Sequence, residues 1–110
     1  MQVLDAALDR LRVGYGMDDD TFMGPLISDN FRKRYRRYCK ALKRKGAETV
    51  CEAGNYDPGR PGFYVRPSIY LVDHAAGHPF LNDEPPGPVL LIYEAPSWEA
   101  AVDLHNRCAY

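Results

Sequence analysis

"GPVLLIYEAPSWEAAVDLHNRC", residues 87–108, decides the fold class. Residues 88–95 form a nearly unbroken apolar run, the pattern of strands covered on both faces in parallel sheets. Pro96 ends the run, because proline cannot donate to a strand ladder. Ser97 can cap a helix, its oxygen accepting from backbone N–H groups of the first turn. The following residues, 98–108, place Trp98, Ala101, Val102, His105 and Cys108 near one helical face. A buried strand running straight into an amphipathic helix points to an α/β chain.

Working outward, "DEPP" at 83–86 precedes that strand. It makes a stiff turn, since each proline fixes its own φ, and it sets Glu84 at the mouth of the strand. Further upstream, "HAAGHPFLNDEPPG" (74–87) reads as a long loop. "FYVRPSIYLVD" (63–73) reads as an extended segment kinked at Pro67. "GNYDPGRPG" (54–62) is a turn region, and "AETVCEA" (47–53) alternates weakly enough for a short strand. A helix is expected from Asp29 to Lys45, capped by Ser28 or Asp29 and stopped at Gly46, with Phe31, Tyr35, Tyr38 and Leu42 inward. Residues 2–12 place Val3, Leu4, Ala7, Leu8 and Leu11 at helical spacing. The order helix, helix, three strands, helix predicts one structural unit over residues 1–110. Its sheet is mixed or parallel and flanked by helices.

The 110 residues carry a formal net charge of −1, which gives no global pull toward nucleic acid or a membrane. No stretch reaches membrane-spanning length, and the acids near the N-terminus argue against a leader peptide. The three cysteines, Cys39, Cys51 and Cys108, have no CxxC spacing and fit reduced thiols of a cytoplasmic protein. None looks like a placed nucleophile. Cys39 lies beside the apolar stripe of its helix, and Cys108 is at the wrong helix end for thiolate stabilisation. His74 and His78 are four apart, but Gly77 and Pro79 argue against a helix there, and His105 stands alone, so no metal site is expected. Nine of the fourteen Lys and Arg fall within 31–45. That segment could meet nucleic acid, but an amphipathic helix with a solvated cationic face is the favoured reading, since the overall charge gives no support to an electrostatic footprint. Phosphate-loop, dinucleotide-loop and GxSxG motifs are absent.

Four segments in order resemble the aldehyde dehydrogenase family. "RLRVGYGMDDDTFMGPLIS" is similar to the stretch that follows the family's catalytic helix. "KGAETVCEAG" resembles its helix–strand join, and "GFYVRPSIYLVD" its G-Y-F-V-x-P-T segment. "FLNDEPPGPVLLIYEAPSWEAAVDLHNRCAY" resembles the E-I-F-G-P strand and the helix after it. The resemblance covers nearly the whole chain and leans toward the succinylglutamate-semialdehyde branch.

The resemblance implies an enzyme that oxidises an aldehyde to a carboxylic acid with NAD or NADP. It also implies that residues 1–110 are a partial catalytic domain: a truncated reading frame, a remnant or an expressed fragment. The family's nucleophile, general base and cofactor loop fall outside the matching stretch. No catalytic residue is therefore expected here, and the chain alone should be inactive. One role carries over. Glu84 matches the glutamate that holds the nicotinamide ribose, a task suited to a carboxylate accepting from two vicinal hydroxyls. Pro86 stands where the family places a phenylalanine beside the nicotinamide, which removes an aromatic wall. The expected partner is the remainder of an aldehyde dehydrogenase chain or, through exposed strand edges, a second copy of this one. No membrane is expected as a partner, and nucleic acid is disfavoured.

Overall fold

The computed structural model describes residues 2–73 and 80–109. In chain order these form α1 (Gln2–Asp9), α2 (Asp29–Arg44), β1 (Glu48–Cys51), β2 (Gly54–Asn55), β3 (Val65–Arg66), β4 (Ser68–Asp73), β5 (Val89–Glu94) and α3 (Trp98–Asn106). The main sheet runs β1-β4-β5. β1 is antiparallel to β4, with a bulge between Thr49 and Cys51. β5 is parallel to β4 in the register Ser68↔Val89 through Asp73↔Glu94. The sheet is therefore mixed, as the order of elements predicts.

α2 begins and ends as its sequence dictates. Ser28 is extended and its Oγ accepts from the Phe31 N–H. At the other end Ala47 N–H donates to Leu42 O and Gly46 N–H to Lys43 O. This closed C-terminal turn needs a left-handed residue, and Gly46 supplies it with φ of 88°. The buried stripe is Tyr35, Cys39 and Leu42. It is rotated slightly from the predicted one, since Phe31 and Tyr38 are only partly covered. Tyr35, Cys39 and Leu42 pack with Val65, Tyr70 and Phe80 to form the core. α2 thus lies over the sheet.

Three features differ from the sequence reading. The turn region at 54–62 opens with β2, which pairs with β3 in a separate two-stranded ribbon. Gly54 and Asn55 show no alternation, so nothing local marks them as a strand. The segment 63–73 is two strands rather than one. Pro67 has no N–H for a ladder, and Ser68, the next residue, donates to Pro88 O at 2.9 Å instead. That bond joins β4 to the start of β5.

The third difference is at the C-terminal end. β5 is not covered on both faces, and Leu90 is 49% exposed. α3 has no buried residue, and Trp98, expected on the inward face, is 78% exposed. β5 pairs on one side only among the described residues, and no described layer covers the outer side of α3. The Cα radius of gyration is 15.2 Å, against about 13 Å for a compact domain of this length.

Candidate functional site

The turn before β5 is set by contacts that reach back to α2. A Cβ built on Gly87 would lie 2.7 Å from Cδ2 and 3.2 Å from Cγ of Tyr35. Only glycine lets the backbone pass this close to the ring. The ring is itself fixed. Tyr35 Oη donates to the Arg66 carbonyl at 2.6 Å and lies 3.1 Å from Ser68 Oγ, both at the Pro67 kink. Burial raises the Tyr35 pKa above its ordinary value, so the phenol stays protonated to hold these bonds. Asp83 N–H donates to Phe80 O, and Val89 N–H to Gly87 O at 2.8 Å. With Pro85 and Pro86 between them, residues 83–88 have little conformational freedom.

Glu84 is exposed on this turn and borders two recesses. One, of about 460 Å³, is mostly apolar and lined by Phe80, Leu81, Val89, Leu91, Tyr93 and Cys108. The other, of about 490 Å³, lies between the turn and α2. Its walls are Arg34, Arg37 and Arg44 on one side and Asp83, Glu84 and Pro86 on the other, with Tyr38, Ala41 and Phe80 also lining it. Tyr38 meets Phe80 edge-to-face at 5.4 Å. Burial first, then Tyr93 and Asp83, push the Tyr38 pKa up to about 12, so Tyr38 is a neutral wall at physiological pH.

Both sequence-predicted cofactor residues therefore sit on one rigid turn. The accessible carboxylate of Glu84 is chemically suited to a vicinal diol. Pro86 lines the recess but offers no ring; the aromatic surface there comes from Tyr38 and Phe80. Sequence reasoning missed the arginines opposite. Their spacing puts Arg34, Arg37 and Arg44 along one helix face, Arg44 two turns beyond Arg37, but nothing local reveals that residues 83–86 pack against that face.

The remaining candidates are placed as follows. Cys39 is buried against Ser68, with its Sγ 3.8 Å from Ser68 Oγ. Burial first, then Asp5 and Asp9, raise the pKa of Cys51, the reverse of activation. Cys108 Sγ donates to the Leu81 carbonyl at 3.4 Å. His105 is exposed on α3, while His74, His78 and Tyr110 lie outside the described residues. Among the described residues no cluster of three or more His, Cys, Asp or Glu is arranged to hold a metal ion. No described helix is long and apolar enough to cross a membrane.

The aldehyde dehydrogenase family model matches residues 1–110. The chain belongs to the aldehyde dehydrogenase family. It is 32% identical to a malonate-semialdehyde dehydrogenase of Geobacillus thermodenitrificans over 97% of this chain and 22% of that protein. It is also 32% identical to an NADP-dependent succinate-semialdehyde dehydrogenase of Mycobacterium leprae, covering 96% of this chain and 22% of the relative. Among solved structures, a Mycobacterium tuberculosis aldehyde dehydrogenase in complex with NAD+ superposes with a TM-score of 0.82 at 30% identity. That superposition covers 96% of this chain and 22% of the other. The 110 residues thus span about a fifth of the length of the relatives they match, and they take the fold of the matching segment.

Proposed function

We propose that these residues form the part of an NAD(P)-dependent aldehyde-oxidising domain that holds the nicotinamide ribose, with Glu84 accepting from the ribose hydroxyls. The observation that carries this reading is the Gly87–Tyr35 contact, which locks a carboxylate-bearing turn at the mouth of two recesses. NAD or NADP, when bound, supplies the hydride acceptor. Glu84 orients its ribose, the turn prolines keep the carboxylate from swinging away, and Tyr38 with Phe80 takes the place of the ring missing at Pro86. The names of the relatives support a semialdehyde bearing a carboxylate as the substrate, a class that includes the succinylglutamate semialdehyde expected from the sequence.

Residues 1–110 alone do no chemistry, because the family's nucleophile, general base and cofactor loop fall outside the stretch that they resemble. The outer side of β5 and α3 is the docking face for the remainder of a longer catalytic domain, and on the isolated 110 residues it invites self-association. We assign the protein to the cytoplasm; its three cysteines are free, as a reducing compartment would keep them.

The test is direct. Nicotinamide riboside is titrated into the 110-residue chain and its Glu84→Gln variant and followed by amide chemical shifts. Shifts centred on residues 83–88 that vanish in the variant support the reading; shifts independent of Glu84 overturn it. Oxidation of malonate semialdehyde by the 110-residue chain with NAD or NADP would refute the absence of independent catalysis. Light scattering that shows a monomer at high concentration would remove the self-association.

A further inference from the structure

The Lys and Arg residues are not spread evenly over the chain. Residues 31–45 hold nine of the fourteen and no acid, so the other residues, with five cations and fifteen acids, sit at −10. A net charge of −1 therefore conceals a divided molecule, and a partner meets the local field. At 3.6 residues per turn, Lys33, Arg37, Lys40 and Arg44 fall opposite the buried Tyr35, Cys39 and Leu42 of α2. Arg34 and Arg36 stand on the two shoulders of this crest, and all six are exposed. Lys33 pairs with Asp29 at 2.8 Å. Arg36, Arg37, Lys40 and Arg44 form no ion pair among the described residues. Cations three and four positions apart on a helix repel one another. α2 tolerates this because its apolar stripe is buried in the core and holds the helix in place. From Lys33 to Arg44 the crest is a rigid cationic line about 16 Å long.

We propose that the crest of α2 binds the phosphate backbone of a single-stranded nucleic acid, without regard to base sequence. Guanidinium forks match phosphate oxygens two at a time, and about five phosphates of one stacked strand span the crest. The flanks decide against a duplex. Asp83 and Glu84 share a recess with Arg34, Arg37 and Arg44 on one side. Glu52 lies beside Arg36 and Lys40 on the other, paired with Lys43. A helix seated in a major groove has a strand along each of its sides, and here both strands would meet acids. One strand along the crest avoids them. An anionic membrane is a poorer partner, because interfacial helices enter by their apolar face, and that of α2 is buried in the core. Base readout has no platform. Phe31 is stacked with Arg34 and Tyr38 with Phe80, so no exposed ring of α2 is offered to a base.

The experiment titrates the 110-residue chain into a labelled oligothymidylate and follows fluorescence anisotropy as a function of salt. With about four phosphates neutralised, affinity should fall about 50-fold between about 50 and 200 mM salt. The double variant Arg36→Gln, Lys40→Gln alters two residues that do not line the Glu84 recess. It should lose about half of the salt slope while keeping the circular dichroism of the unaltered chain, which shows that it is folded. A duplex of the same length should bind more weakly. Absence of binding at about 50 mM salt, or binding that the double variant leaves unchanged, overturns the proposal. Tighter binding of the duplex refutes the single-strand assignment. Equal affinity for polyglutamate or for phosphatidylserine vesicles reveals a general anion surface and overturns it as well.

Discussion

The two helices that flank the sheet do opposite things with their apolar residues. α2 buries Tyr35, Cys39 and Leu42 completely or nearly so against β3, β4 and Phe80. α3, with Trp98, Ala101 and Val102 to offer, buries none. Both helices have a serine N-cap, Ser28 accepting from Phe31 N–H and Ser97 from Ala100 N–H. Capping and periodicity therefore form each helix locally, but only a partner layer gives a helix a core. One side of the molecule is a finished interior, and the other is uncovered among the described residues.

The largest break in this contrast is expected from Tyr35→Ala. Removing a fully buried aromatic that also bonds at the Pro67 kink should cost about 3–5 kcal/mol, read as a collapse of the urea midpoint. Gly87→Ala comes next. The added methyl meets the Tyr35 ring at 2.7 Å, and overpacking of this kind costs about 1–3 kcal/mol. Combining Gly87→Ala with Tyr35→Leu should be less damaging than the sum of the two changes, because the obstructing ring is gone.

A smaller effect lies in the alkaline range. An exposed tyrosine in the unfolded chain titrates near 10, while burial holds Tyr38 up to about 12. Folding therefore favours the neutral phenol. Its contribution is complete below pH 10 and is lost as pH rises from 10 to about 12. Denaturation midpoints should fall across that window, and Tyr38→Phe should make the fall shallower. The smallest effect belongs to Trp98→Ala. At 78% exposure its cost should stay within about 0.5 kcal/mol, and a cost comparable to a core residue would show that α3 is packed after all.

The comparison also explains what was legible in the sequence. α2 was readable from Ser28 to Gly46 because its caps and its stripe are local signals. β5 was readable from its apolar run, and the family from four segments in order. The exposure of Leu90 and Trp98 was not readable, because an apolar residue announces that it can be buried, not that its partner is at hand. The β2–β3 ribbon escaped notice because two residues without alternation carry no period. At the candidate site, Glu84 and Pro86 came from the motif, whereas the arginines opposite depend on how residues 83–86 fold against α2, a contact between segments some fifty residues apart.

The Gly87–Tyr35 contact has a consequence for how this sequence can change over time. The two positions are 52 apart, yet neither is free to drift alone. A side chain at 87 demands a smaller residue at 35, and a smaller residue at 35 gives up the bonds at the kink between β3 and β4. Positions 35, 68 and 87 should therefore vary together among sequences that keep this turn. Loss of glycine at 87 together with loss of tyrosine at 35 would mark lineages in which Glu84 no longer has a fixed place.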